Sequence, residues 1–140
     1  MHLPLPGGIV FRPAPAPRYT VPHLTACEET VMNPQSYQSC IDACHACATA
    51  CDNCAAACLA ERDVKAMAKC IALDLDCAQA CRLAAALMGR GSRFAPDACR
   101  LCGEICQACA EECGTHEMDH CQACSDACRH CAQACLAMAA

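Results

Sequence analysis

The stretch CIDACHACATACDNCAAAC, residues 40–58, decides the fold of this chain. Its six cysteines follow one another at steps of four, three, four, three and four residues. Side chains at these spacings share one face of an α-helix, and they occupy the a and d positions that face partner helices in a bundle. The stretch therefore predicts a helix whose inner face carries thiols where Leu or Ile is usual.

The same spacing recurs further along the chain. Residues 99–113 and 121–135 each hold five cysteines at steps of three and four, and residues 70–81 hold three more. Nineteen of the twenty cysteines thus lie on helical seams, and Cys27 alone lies outside them. We predict that these nineteen thiols are metal ligands, and they are Cys40, Cys44, Cys47, Cys51, Cys54, Cys58, Cys70, Cys77, Cys81, Cys99, Cys102, Cys106, Cys109, Cys113, Cys121, Cys124, Cys128, Cys131 and Cys135.

The 140 residues suit a single domain with one buried core. Residues 1–33 are rich in proline, which cannot occupy helix interiors, so we predict a disordered N-terminal extension. Residues 34–140 are predicted to form an all-α, antiparallel up-down-up-down four-helix bundle, because short connections make successive helices neighbours. Asn33 and Asp63 suit the N-caps of the first two helices, and Gly89 suits the end of the second. The helices are expected at about residues 34–60, 64–88, 96–113 and 118–138.

The composition argues against several classes of function. The net charge is −5 with no run of Lys or Arg, which gives no basis for binding nucleic acid. The chain has no apolar stretch of about 18 residues, so we expect no membrane span. The first residues lack the apolar segment of a secretion signal, so we expect a cytoplasmic location, where thiols stay reduced. We predict no enzymatic activity, because no nucleophile, base and orienting group stand out together.

Closely spaced thiolates have a restricted metal chemistry. Thiolate is a soft ligand that selects Cu(I), zinc or iron–sulfur clusters. A continuous ladder of thiols favours Cu(I), because each sulfur can bridge two ions and the ratio then tends to about one ion per thiolate. The residues leave two alternatives open: a zinc-binding structural or interaction module with about one ion per four thiols, and a thiol redox buffer.

Two segments carry a resemblance to a known family: CIALDLDCAQACRLA at residues 70–84 and GTHEMDHCQACSDACRHCAQAC at residues 114–135. From about residue 34 to its end, the chain resembles the bacterial four-helix-bundle copper storage proteins, specifically the cytosolic branch without an export signal. The resemblance implies storage or sequestration of many Cu(I) ions on pairs of core thiolates, in copper homeostasis or detoxification. It also implies a homotetramer and copper ions as partners, with a copper chaperone as candidate donor. The family pattern assigns no role to Cys27 or the extension.

The up-down-up-down topology places the first and third connections at the same end of the bundle. Met67, His116, Met118 and His120 should cluster there, and thioether and imidazole groups are suitable ligands for Cu(I). We therefore expect these four residues to form the place where metal enters the bundle. The alternative is that the histidines are solvated loop residues and Met67 is core packing.

Other residues near the seams are expected to have structural roles. Met88 and Met138 continue the seams of the second and fourth helices and should plug the opposite end. His45 and His130 fall at outward positions and should be solvated. Asp74 lies on the second seam, where an unpaired buried carboxylate is costly. We expect it to pair with a core group or to lie at the bundle edge, in preference to ligating an ion.

Overall fold

The computed structural model describes residues 34–139. The predictions for residues 1–33, including the disordered extension, the cap at Asn33 and the position of Cys27, lie outside the described residues. Within them the secondary structure is helical throughout, as predicted: α1 is Pro34–Leu59, α2 is Ala68–Gly89, α3 is Ala95–Gly114 and α4 is Asp119–Met138. No helix in this part of the chain combines the length and the apolar character needed to cross a membrane.

The start and the end of α2 differ from the prediction in detail. A 3₁₀ turn at Val64–Met67 precedes α2, and the Asp63 side chain accepts a hydrogen bond of 3.2 Å from the Ala66 N–H. The predicted cap at Asp63 is thus confirmed, although it caps the 3₁₀ turn. The helix ends one residue later than predicted, because Gly89 is its last helical residue, and the glycine with the left-handed φ of 61° is Gly91. That conformation is strained for residues with a Cβ, so the turn needs a glycine at this position.

The four helices form a closed square. Helix α1 packs beside α2 and α4, and α3 packs beside the same two helices. The diagonal pairs of these described helices meet only through side chains in the core, as Cys77 of α2 and Cys128 of α4 do at 3.8 Å. Short connections join successive helices, so the predicted antiparallel up-down-up-down bundle is confirmed. We call the end with the α1–α2 and α3–α4 connections the loop end. The opposite end, with the α2–α3 connection, the start of α1 and the end of α4, is the terminal end.

The interior is built from cysteine and alanine. All nineteen cysteines of the described residues are buried, together with Met67, Met88 and a set of alanines. Within the described chain no Leu, Ile, Val or aromatic side chain is buried, because the larger apolar residues lie outside the seams. Thiols therefore occupy the volume that branched aliphatic side chains fill in other bundles.

Helices α3 and α4 approach each other closely. A Cβ at Gly103 would lie 2.7 Å from Cγ and Cδ2 of Leu136, so the glycine makes room for the leucine. Nearer the loop end, the buried Ser125 hydroxyl donates a hydrogen bond of 2.8 Å to the Ala110 carbonyl. These contacts fix the distance between the two helices that carry ten of the cysteines.

Candidate metal-binding core

The cysteines form a continuous column of thiols along the bundle axis. Neighbouring Sγ atoms lie 3.3 Å apart at Cys70 and Cys113, 3.5 Å apart at Cys77 and Cys106, and 4.0 Å apart at Cys47 and Cys106. The nineteen cysteines are all free thiols, so no disulfide competes for these sulfurs in the described residues. The seam predicted from the spacing is thus a single packed line of potential ligands.

The thiols group into overlapping sets of four. In each set the ligand atoms lie within 4.8 Å of one another, and Cys47, Cys51, Cys128 and Cys131 each belong to two sets. Isolated tetrahedral sites would need separate sets, whereas shared thiols suit sulfurs that bridge neighbouring ions. Four of the sets are Cys44, Cys102, Cys131 and Cys135; Cys47, Cys81, Cys106 and Cys131; Cys47, Cys51, Cys77 and Cys128; and Cys51, Cys109, Cys124 and Cys128.

Burial controls the protonation of the thiols near the loop end. Removal from water disfavours the thiolate and raises the pKa of Cys54 and Cys70, and it raises the pKa of Cys121 to about 11. These groups are therefore neutral thiols near pH 7 when no metal is bound. Metal uptake has to displace their protons, so binding strengthens as the pH rises.

Asp74 is fully buried among the thiols. Its Oδ1 accepts hydrogen bonds from Cys124 at 3.2 Å, Cys109 at 3.3 Å and Cys113 at 3.4 Å. Burial, together with the charge of neighbouring thiolates, raises the pKa of this carboxyl group to about 8. The expectation of a place at the bundle edge is wrong, whereas the expected pairing with core groups is present, with thiols as the partners.

His120 brings an imidazole to the thiols at the loop end. Its Nδ1 lies 3.4 Å from Sγ of Cys121, 3.7 Å from Sγ of Cys54 and 3.8 Å from Sγ of Cys58. These four ligand atoms form another set, whose members lie within 4.8 Å of one another. On its other side, Nε2 of His120 lies 3.0 Å from Oε1 of Glu61. The loop end therefore offers a mixed sulfur and nitrogen site at the mouth of the column.

The other three residues of the predicted uptake group have different surroundings. Nε2 of His116 lies 3.2 Å from Oε1 of Glu112, whose other oxygen pairs with Lys69 at 2.9 Å. Met67 is buried, and Met118 is partly buried directly before α4. His120 is thus the member of the group that contacts the thiols, and His116 is held in a network of charged residues.

The terminal end matches the structural roles expected from the sequence. Met88 is buried and Met138 is partly buried, as expected for side chains that close this end. His45 and His130 are exposed, as their outward positions predicted. In the described residues the imidazole that contacts core thiols is therefore confined to the loop end.

Sequence reasoning missed Glu61. It follows α1 in the charged segment Glu61-Arg62-Asp63, where nothing distinguishes it from an ordinary solvated loop residue. Its partner His120 is 59 positions away, so only the packed bundle brings the two together. A signal in the local sequence could not have identified this contact.

Residues 33–140 match the family model for copper storage protein (Csp). The uncharacterized cysteine-rich protein YhjQ of Bacillus subtilis (strain 168) is 46% identical over 106 residues, which cover 76% of this chain and 98% of that protein. The solved structure of Cu(I)-bound copper storage protein BsCsp3 is 46% identical, with a TM-score of 0.73, and covers 76% of this chain and 100% of its own. The solved structure of a cytosolic copper storage protein from Streptomyces lividans, loaded with five coppers, is 38% identical, with a TM-score of 0.73. The match covers 76% of this chain and 93% of that chain.

Proposed function

The chain belongs to the copper storage protein family, and from this premise we propose that it stores multiple Cu(I) ions on the thiolates that line its bundle. The related structures hold Cu(I) in one case and five coppers in the other. The role is storage or sequestration of the ion, and no catalytic step is part of it. The nineteen core cysteines are the proposed ligands.

A single observation carries this proposal: neighbouring thiol sets overlap, with Cys47, Cys51, Cys128 and Cys131 each belonging to two of them. Each shared cysteine can bridge two ions, so capacity should follow the number of thiols and not the number of separate four-ligand sites. A zinc module would need about one ion per four thiols, held in tetrahedral sites that share no ligand. A redox buffer would need an exposed thiol of low pKa, whereas all nineteen thiols described are buried.

The test is an anaerobic titration of the reduced protein with Cu(I) against a chelator of known affinity, with zinc titrated in parallel. We expect tight uptake to continue to about one Cu(I) per core thiol, as bridging sulfurs allow. Saturation at a few ions, or zinc uptake at about one ion per four thiols that copper cannot displace, would refute storage.

We propose further that Cu(I) enters the column at the loop end. The supporting contact is that of His120 with Cys54, Cys58 and Cys121, because imidazole and thiolate together can receive an ion from a donor. A copper chaperone is the proposed donor. Replacing His116, His120, Met67 and Met118 by alanine should slow loading and leave the final capacity unchanged.

A matched control for this experiment replaces the two exposed histidines, His45 and His130, by alanine. It removes the same number of imidazoles without touching the loop end, so loading should proceed at the wild-type rate. Equal loading rates for the two variants and the wild-type protein would show that the ion enters elsewhere.

We also propose that the protein is a cytosolic homotetramer. Large apolar side chains on the outer faces of neighbouring helices support self-association, since Leu75, Leu83 and Leu101 are 53%, 50% and 51% exposed. A cytosolic location agrees with a core of free thiols, which stay reduced there. Light scattering should give the mass of a tetramer, and replacing Leu75 and Leu83 by glutamine should lower it. A monomeric wild-type protein would contradict the proposal.

A further inference from the structure

His120 lies between two chemically different neighbours. Its Nε2 is 3.0 Å from a carboxylate oxygen of Glu61, and its Nδ1 points at the sulfurs of Cys54, Cys58 and Cys121. The two contacts come from different elements, because Glu61 follows α1 whereas His120 lies in the first turn of α4. The ring is therefore held by the α1–α2 connection on one side and faces the thiol column on the other.

These contacts decide which ring nitrogen carries the proton. A neutral imidazole has one N–H and one lone pair, and an ionised carboxylate can only accept a hydrogen bond. The Nε2 of His120 must then be the donor to Glu61, which leaves the lone pair of Nδ1 directed at the thiols. A carboxylate in this position also increases the basicity of the opposite nitrogen and favours its binding to a cation.

We propose that Glu61 is a positioning residue for metal uptake: it holds His120 in the tautomer and orientation in which Nδ1 receives Cu(I) together with the thiols of Cys54, Cys58 and Cys121. This inference rests on the proposed uptake of Cu(I) at the loop end. Glu61 touches the ion at no stage and acts through the ring of His120.

The second histidine at this end, His116, has a carboxylate partner but makes no contact with a thiol in the described residues. His116 has a comparable contact between Nε2 and Glu112, but Glu112 also pairs with Lys69, and the hydrogen-bond partner of the ring in the described residues is this carboxylate and no thiol. The proximity of Glu61 to the thiol-facing histidine is thus what gives Glu61 its effect on loading.

The experiment compares Glu61→Ala, Glu61→Gln and Glu117→Ala in the full chain. Glu117 is an exposed acid in the α3–α4 connection at the same end, so its replacement matches the change in charge. Two readouts are needed: the ¹⁵N chemical shifts of the His120 ring, which report the tautomer, and the rate at which the first equivalents of Cu(I) load from a competing chelator.

We expect Glu61→Ala to shift the His120 ring signals and slow the first loading phase by about 10-fold or more, the effect usual for a residue that supports a metal ligand. Glu61→Gln should recover much of both, because the amide oxygen can still accept from Nε2. Glu117→Ala should leave both unchanged. Total capacity should stay at the wild-type value in all three variants.

A His120→Ala variant separates failure of this inference from failure of the uptake proposal. Wild-type loading by His120→Ala would refute uptake through this histidine, and the role of Glu61 with it. Slow loading by His120→Ala, together with wild-type loading and ring signals in Glu61→Ala, would refute the role of Glu61 alone. Because Glu61 is only partly buried, its variants should fold, and circular dichroism checks this directly.

Discussion

The loop end and the terminal end are built on the same seam but closed by different chemistry. Helix α2 and the turn before it place a buried methionine at each end, Met67 and Met88. On the seam of α2, Asp74 lies between Met67 and the centre of the bundle, whereas Ala84 lies between Met88 and the centre. Both residues are fully buried. The loop end adds the imidazole of His120 against the thiols. The carboxyl and imidazole groups that contact thiols in the described residues therefore lie towards one end.

This asymmetry bears on two requirements of a storage bundle: a stable metal-free fold and exchange of the ion with a donor. A buried carboxyl group destabilises the metal-free fold once it ionises, and an imidazole at the mouth leaves room for exchange with a donor. The terminal end has methionine and alanine in the corresponding places, which pack without such a penalty. The proposed uptake end is therefore also the end nearer to the buried carboxyl group, whereas the opposite end is closed by side chains that do not ionise.

The largest effect we expect comes from removing the acid of the loop-end half with Asp74→Asn. The unfolded chain loses this proton near pH 3.8, whereas the metal-free fold keeps it to about pH 8. The stability linked to this raised pKa is fully present below pH 3.8 and is lost as the pH rises towards 8. The variant should be more stable than the wild-type protein by up to about 5 kcal/mol at pH 8, and equally stable near pH 4. Urea unfolding of the reduced, metal-free proteins across this pH range measures the difference.

Asp76→Asn is the control for that comparison. Asp76 is an exposed carboxylate two residues further along α2, so its replacement should leave the pH dependence of unfolding unchanged. Parallel pH profiles for wild-type protein and Asp74→Asn would mean that the buried carboxyl group does not weaken the loop-end half.

A smaller effect should distinguish the two methionines. Met67→Ala and Met88→Ala each remove a buried side chain and should each lower the free energy of unfolding by about 2–4 kcal/mol. Only Met67→Ala should also slow Cu(I) loading, because Met67 lies at the proposed uptake end. Stopped-flow loading and denaturant unfolding measure the two properties separately. If both variants load equally slowly, the functional difference between the ends disappears.

The smallest effect concerns the packing of the terminal half. Gly103→Ala should lower stability by about 1–2 kcal/mol despite the better helix propensity of alanine, because the new methyl group meets Leu136 at 2.7 Å. In the double variant with Leu136→Ala, the penalty of Gly103→Ala should shrink or reverse, since the obstructing side chain is gone. Thermal unfolding of the two single variants and the double variant gives the coupling. Strict additivity would show that this close approach does not hold α3 and α4 together.

The bundle itself could be predicted from residues such as Cys44, Cys47 and Cys51, whose spacing matches the helical period. The burial of all nineteen seam cysteines confirms that reading, because periodicity is a local property of the chain. The end of α2 is less strictly encoded: the helix runs one residue beyond the prediction, and the left-handed turn at Gly91 was not predicted.

The surroundings of Asp74 could not be predicted in the same way. Its thiol donors lie on α3 and α4, and their heights relative to α2 depend on the axial register of the packed helices. The contact between Glu61 and His120 depends on that register too, since it joins the α1–α2 connection to α4. Spacing along one helix predicts which side faces inward, but it does not predict what lies opposite.

The continuous column of thiols has a consequence for the order in which copper is exchanged. Where neighbouring sulfurs lie 3.3–4.0 Å apart, an ion can bind the next thiolate before it leaves the last, so it moves by exchanging one bond at a time. On the proposed loop-end route, an ion near Cys40 reaches the mouth only after those nearer to it have moved. That route makes the bundle a stack in which the last ion to arrive is the first to leave, and the earliest copper forms a reserve that is drawn on last.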